Sequence, residues 1–155
     1  MSEVIQTIKG VVLMLKNIPA IVSPELMKTM MEMGHSDEIV LSDANFPATT
    51  CAKRLIRCDG VMLPQLLETI LAFFPLDKSV KYPAVLMSVT ANETAPPIWE
   101  EYRRIIRQIE PDFQEFEHIE RYQYYERAKN AFAVVITGDT SFRANLLLKK
   151  GVVRP

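Results

Sequence analysis

Apolar positions recur along this chain in two ways, as stripes spaced three and four residues apart and as short unbroken runs. The stripes predict amphipathic helices and the runs predict buried strands. The first helix is expected to start near Pro24, because Ser23 suits the N-cap, proline suits the first helical position and Glu25 favours the positive end of the helix dipole. Leu26, Met27, Met30, Met31 and Met33 give it one largely apolar face, and Gly34 offers the left-handed residue that often ends a helix. Residues 38–42, with Ile39, Val40 and Leu41 at their centre, read as a short buried strand.

Similar patterns follow. Residues 54–57 suit a short strand, and Pro64 opens a helix whose Leu66, Leu67, Ile70, Leu71 and Phe74 form a core stripe before Pro75 stops it. Residues 84–89 form the next expected strand. Pro97 starts a helix in which Trp99, Tyr102, Ile105, Ile106 and Ile109 share one face, Glu100, Glu101, Arg103 and Arg104 face water, and Pro111 ends the pattern. The last third reads as a strand at 117–119, a helix at 122–130 and two strong strands at 132–137 and 145–149, with Gly138 and Asp139 in the turn between them. Apolar runs alternating with helical stripes, punctuated by proline, are the rhythm of an α/β domain.

Composition adds bounds. The 155 residues suit one domain that buries roughly 70% of its unfolded surface. A hydrophobic share of 48% supports a real core, and a net charge of −1 gives no field to attract nucleic acid or an anionic membrane. A small neutral ligand fits better. Cys51 and Cys58 match neither a zinc framework nor a secreted disulfide scaffold, so both are read as reduced thiols. No apolar run reaches the length of a membrane span, and the beginning lacks the pattern of a signal peptide, which makes the cytoplasm the expected compartment.

The chemistry concentrates in residues 34–47. His35 follows the first helix, and an imidazole titrates near neutrality, as an acid/base catalyst must. A histidine beside a helix C-terminus also complements the dipole, so the residue type alone does not decide its role. Asp43 ends the strand that follows, where open α/β sheets place ligand crevices. It reads equally as a ligand group or as an Asx-turn capping the backbone of Asn45 or Phe46 ahead of Pro47, and Asn45 carries the same ambiguity. Trp99 could stack on a sugar, but its helix stripe favours the core. Arg121, Tyr122, Tyr124 and Tyr125 make either a polar aromatic wall or, with Arg127 and Lys129, a solvated helix face.

Several motifs in order then carry a resemblance. Met14-Leu15-Lys16-Asn17-Ile18-Pro19, Ser23-Pro24-Glu25-Leu26, Met33-Gly34-His35-Ser36-Asp37-Glu38-Ile39-Val40 and Asp43-Ala44-Asn45-Phe46-Pro47 resemble the L-fucose mutarotase and D-ribose pyranase family. Arg57-Cys58-Asp59-Gly60, Tyr125-Glu126-Arg127-Ala128-Lys129, Ala131-Phe132-Ala133-Val134-Val135, Thr137-Gly138 and the run from Asn145 to Val152 are similar to its fucose branch. The resemblance spans about residues 14–152, preceded by an N-terminal extension, 1–13, whose Val11, Val12 and Leu13 suit pairing with a sheet edge.

What the resemblance implies is a single three-layer α/β/α domain over residues 14–155 with a mostly parallel or mixed sheet of about six strands. It further implies a ring-shaped homo-oligomer, commonly a decamer, and exchange of α and β pyranose anomers of a monosaccharide with no metal or organic cofactor. By position, His35 matches the proton donor, while Asp43, Arg121, Arg143, Ala144 and Asn145 fall at sugar-contacting positions. Arg143 stands where the family usually has tyrosine; a guanidinium can donate to hydroxyls but cannot accept a proton. Two rival classes remain, a non-catalytic sugar-binding protein and a metal enzyme using His35, Asp37 and Glu38. Eight residues separate His35 from Asp43, a span of up to roughly 26 Å if extended, so either the chain folds back or two protomers complete one pocket, and the second is favoured.

Overall fold

The computed structural model describes residues 11–155. Its centre is a six-stranded sheet built from β3 (Glu38–Ser42), β4 (Leu55–Cys58), β5 (Ala84–Met87), β6 (Glu117–Ile119), β7 (Ala133–Thr137) and β8 (Leu146–Lys149). Their order across the sheet is β4-β7-β3-β8-β5-β6. The pairs β4/β7, β3/β7 and β5/β6 are parallel, and β8 runs antiparallel to both β3 and β5. Five strands therefore point one way and β8 alone is reversed. The carboxyl ends of the five share one edge of the sheet with the start of β8.

Strands buried on both faces read as continuous apolar runs, because each successive side chain enters a different core. On one face Ile39, Leu41, Leu86, Val135, Leu146 and Leu148 pack with the helices α1 (Pro24–Glu32), α3 (Leu63–Leu71) and α4 (Ile98–Ile109). On the other, Val40, Val85, Met87, Val134 and Leu147 pack with α2 (Ala48–Cys51) and α5 (Arg121–Asn130). The result is the expected three-layer α/β/α sandwich. Each fully buried aliphatic side chain in it stabilises the fold by about 1.5–3 kcal/mol before entropy is counted.

Local signals behave as the sequence reading expects at most helix starts. Ser23 Oγ accepts from the Leu26 amide at 3.1 Å, and Pro24 is the first helical residue. Helix α1 ends differently from expectation. Gly34 does not adopt a left-handed backbone; Met33 closes α1 in an extended conformation, its amide donating to the Thr29 carbonyl, and Ser36 takes the positive φ of 74° instead. Met31 also departs from the predicted apolar face and is 79% exposed, while Leu26, Met30 and Met33 are buried.

Residues 13–15 form β1 (Leu13–Leu15), which pairs antiparallel with β2 (Ile18–Pro19) in a separate two-stranded unit rather than with an edge of the main sheet. Most of the predicted extension, residues 1–10, lies outside the described residues. On α5, Arg127 is not a solvated charge. Its guanidinium meets Glu38 Oε2 at 2.8 Å and Glu117 Oε2 at 3.0 Å, tying the end of α5 to the starts of β3 and β6. Cys51 and Cys58 are buried free thiols.

Helix α3 has no side-chain cap from its own flank. Asp139, far along the chain, supplies one. Its Oδ2 accepts from the Leu63 amide at 3.0 Å and its Oδ1 from the Ser141 amide at 2.9 Å. The preceding Gly138 lets the backbone close on the turn after β4, since a Cβ there would collide with the Asp59 carbonyl. Burial pushes the Asp139 carboxyl up, but the hydrogen bonds from Ser141 and Leu63 outweigh it and hold it below the usual aspartate value of 3.8. A carboxylate held low contributes stability that is present above its unfolded value and lost as pH falls through its folded one. Asp139→Ala should therefore destabilise the protein by about 1–3 kcal/mol at neutral pH. Denaturant titrations should show less acid-dependent loss below pH 4 in the variant than in the wild type, since that component is missing.

Candidate functional site

The sequence-predicted residues divide between the two ends of β3. At its amino end, residues 34–37 form a tight loop in which the Gly34 amide donates to Asp37 Oδ2 at 2.7 Å. The Ser36 amide donates to the Lys150 carbonyl and the Lys150 amide to the Asp37 carbonyl, each at 2.8 Å. On the other side of this last stretch of chain, the Asp77 amide donates to the Lys149 carbonyl and the Gly151 amide to the Pro75 carbonyl. Residues 149–151 thus act as a middle strand between two segments distant in sequence. Across it, His35 Nε2 lies 3.1 Å from Asp77 Oδ1.

The partners differ in exposure. The His35 side chain is 48% exposed and that of Asp77 only 2%. Asp77 Oδ1 also accepts from the Ser79 amide at 2.9 Å and the Ser79 hydroxyl at 2.6 Å, whereas Oδ2 is buried with no hydrogen-bond partner among the described residues. Burial raises the Asp77 carboxyl, but the hydrogen bonds from Ser79 and then His35 prevail and hold it below its ordinary value. A cleft of about 190 Å³ opens beside it, lined in part by Asp77, Lys78, Lys81, Glu110 and Phe113. Lys78 in that cleft is already paired with Glu110 and Asp112.

The carboxyl end holds Asp43, Asn145, Ala144 and Arg143. Asp43 forms the Asx-turn, its Oδ1 accepting from the Asn45 amide at 2.8 Å, and its own amide donates to Asn145 Oδ1 at 2.9 Å. Burial pushes the Asp43 carboxyl up; hydrogen bonds from the Asn45 and Phe46 backbone and from Asn145 offset this only in part. Both sequence readings of Asp43 are therefore compatible, since a turn-forming carboxylate sits at the mouth of the sheet. Asn45 itself is exposed.

Helix α4 clamps the neighbouring segment. Trp99 Nε1 donates to the Arg143 carbonyl at 2.8 Å and the Tyr102 hydroxyl to the Ala144 carbonyl at 2.7 Å, so Trp99 is a buried core residue with a polar duty. Arg143 has a left-handed backbone, φ 51°. Its guanidinium is committed to Glu93 at 3.1 Å and to Met87 Sδ at 2.8 Å, with Nε buried and unpartnered among the described residues. Ala144 is fully buried. Arg121 is exposed at the start of α5, where its Nη2 donates to the Tyr122 hydroxyl at 2.6 Å; no hydrogen bond joins it to Asp43 among the described residues. Of the aromatic wall, Tyr122 is 62% exposed and Tyr124 fully buried, its hydroxyl without a hydrogen-bond partner among the described residues.

Within one chain, His35 and Asp43 do not meet. The extended five-residue β3 puts roughly 17 Å between its two ends, more than a monosaccharide can bridge. The chain does not fold back. Among the described residues no three His, Cys, Asp or Glu side chains converge to hold a metal ion, and no helix is long and apolar enough to cross a membrane. Asp77 and Glu93 were not singled out from sequence. Asp77 lies 42 positions from His35, and its only local sign is Ser79 two residues on, which suits an Asx-turn.

The sequence matches the RbsD / FucU transport protein family over residues 16–153. It is 46% identical over 146 residues to the fucose mutarotase of Homo sapiens, covering 90% of this chain and 94% of that protein. It is 44% identical over 140 residues to an L-fucose mutarotase of Actinobacillus pleuropneumoniae, covering 90% and 97%. The fold superposes with a TM-score of 0.87 on the crystal structure of fucose mutarotase in complex with L-fucose from Streptococcus pneumoniae, at 50% identity over 90% of this chain and 100% of that one. Together with the six-stranded mixed sheet, these matches place the chain in the RbsD / FucU transport protein family.

Proposed function

We propose that this protein is a mutarotase that interconverts the α and β pyranose anomers of L-fucose, working in the cytoplasm as a decameric ring. The observation that carries the reading is the half-exposed His35 imidazole held against a buried carboxylate, on a chain half identical to a mutarotase with L-fucose bound. Opening a pyranose removes the anomeric hydroxyl proton, delivers a proton to the ring oxygen and breaks the bond between that oxygen and the anomeric carbon. Rotation of the aldehyde and reclosure on its other face reverse these transfers. No electron acceptor enters that balance.

In this mechanism His35 as imidazolium protonates the ring oxygen, and a water or nearby carboxylate takes the anomeric proton. Asp43 accepts hydrogen bonds from sugar hydroxyls; Asn145 and Arg121 fix orientation. Arg143, already neutralised by Glu93, shapes the crevice. The separation of His35 from Asp43 within one chain supports a pocket completed by two protomers, the amino end of one β3 facing the carboxyl end of a neighbour's. The exposed apolar residues Val12, Leu13, Met14 and Leu15 fit burial in such an assembly.

Proton NMR magnetisation transfer between the anomers of L-fucose tests the reading directly. The protein should accelerate exchange, and more strongly for fucose than for ribose or galactose. His35→Ala should lower the rate about 10²- to 10⁴-fold while fucose still binds; full activity in that variant would remove His35 from the chemistry. The shared pocket has its own test. Co-expressed His35→Ala and Asp43→Ala chains, each inactive alone, should regain activity at about a quarter of the sites in mixed rings, because some pockets then combine an intact His35 with an intact Asp43. No recovery in mixed oligomers of confirmed composition would rule out sharing.

A further inference from the structure

A site for a neutral sugar has to reject charged relatives of that sugar, and the charges a pocket leaves unpaired decide this as much as its hydrogen bonds do. We propose that Glu93 is a specificity-determining residue of the sugar site, cancelling the Arg143 guanidinium and so excluding sugars that carry a carboxylate. This rests on the reading of Asp43, Arg143 and Asn145 as the sugar crevice proposed above, and adds to it a residue from a different segment of the chain.

Three features of the structure carry it. The first is where the cation sits. Arg143 lies two residues before Asn145, whose Oδ1 accepts from the Asp43 amide at 2.9 Å, so the guanidinium belongs to the same carboxyl edge of the sheet. An arginine stays protonated at every working pH and binds carboxylates through paired N–H donors. Left uncompensated at that edge, it would recruit anionic sugars in preference to neutral ones.

The second is that Glu93 is the charge that balances it. Arg143 Nη2 lies 3.1 Å from each carboxylate oxygen of Glu93. The other groups against the guanidinium are neutral: Met87 Sδ, 2.8 Å from Nη1, and the Phe142 ring, whose centre is 5.4 Å from Cζ. Among the described residues no second acidic side chain forms an ion pair with Arg143. Arg121, the other arginine assigned to the sugar, stands exposed on α5 beside the Tyr122 hydroxyl, where water and salt screen its charge. The Arg143 and Glu93 side chains are only 11% and 27% exposed, so their charges are screened far less.

The third is that the counter-ion is fixed in place. Glu93 lies in the segment between β5 and α4, where its Oε2 accepts from the Thr90 amide at 2.9 Å and its own amide donates to the Thr90 carbonyl at 3.0 Å. The Thr90 amide first, and Arg143 after it, hold the Glu93 carboxyl below its ordinary value, so it is ionised at neutral pH. The same stretch of chain continues into α4, whose Trp99 and Tyr102 bond the Arg143 and Ala144 carbonyls. One segment thus holds the backbone of Arg143 and supplies its counter-ion, which keeps the two charges together.

The consequence is a preference that can be reversed. L-galacturonate has the ring configuration of L-fucose and carries a carboxylate where L-fucose has a methyl group. An anionic sugar entering beside Asp43 finds the guanidinium already occupied and Glu93 repelling it. Removing the Glu93 side chain leaves a carboxylate-sized space, open to water, beside a guanidinium with no counter-ion.

Two readouts on the assembled protein test this, calorimetric binding and proton NMR exchange between anomers, each with L-fucose and with L-galacturonate. The wild type should bind L-fucose and reject L-galacturonate. Glu93→Ala should bind L-galacturonate about 10- to 100-fold more tightly than the wild type does, and the gain should shrink as salt is added. Adding Arg143→Met to Glu93→Ala should abolish the gain. Glu93→Gln keeps the shape and removes the charge, and carries the same test where the alanine variant does not fold. No gain in L-galacturonate binding by the folded variant overturns the assignment, as does a gain that survives the loss of Arg143 or a wild type that binds both sugars equally. A wild type that binds L-fucose without accelerating its exchange sinks the mutarotase reading alone, and the calorimetric comparison still decides the role of Glu93.

Discussion

The extension of β3 is the constraint from which the rest of this molecule follows. The strand pairs parallel with β7 on one side and antiparallel with β8 on the other, so it can neither bend nor slip register without exposing Ile39, Val40 and Leu41, all fully buried. Whatever precedes it lies at one edge of the sheet and whatever follows lies at the opposite edge. His35 and Asp43 are held apart by the hydrophobic core itself. A chemistry that uses both groups has to come from the packing of chains against one another.

Three buried aspartates show how differently one residue type can be settled. Asp139 receives two backbone amides and serves as a remote cap for α3, so its charge is supported by the fold. Asp77 gathers Ser79 and His35 on a single oxygen and leaves the other bare. Asp43 receives fewer compensating bonds than its burial demands and its carboxyl is pushed up. The first is structural in full. The other two retain unspent capacity for interaction, which is what a site requires of a buried polar group.

Local signals made most of the fold legible. Continuous apolar runs gave β3 and β7 to within a residue, and proline at helix starts located α1, α3 and α4. The errors share a cause. Gly34 was expected to take the left-handed turn, but the loop's shape is set by Lys150 bonding Ser36 and Asp37, a contact over a hundred residues away in sequence. Met31 carries an apolar side chain into solvent because the apolar stripe of α1 is wider than the surface it covers. Asp77 was invisible for the same reason as Lys150, because no periodicity encodes which distant segment will lie across a strand. His35 and Asp43 stand out in the sequence because they flank β3, and Asn145 because it precedes β8; the distant segments that lie against them do not.

Arg143 illustrates how a charge at the carboxyl edge is made compatible with a neutral ligand. Its guanidinium is nearly buried, and Glu93 lies 3.1 Å from it, so the pair adds no net field to the crevice. A buried pair of this kind seldom adds stability over an apolar substitute, since the desolvation of both ions offsets their attraction. Its effect is on geometry. The left-handed backbone of Arg143 turns the chain, Trp99 and Tyr102 hold the carbonyls on either side of the turn, and Asn145 is thereby delivered to the backbone of Asp43. Hydrogen-bonding capacity is concentrated there without accumulated charge, which suits a ligand that offers hydroxyls and no ionised group.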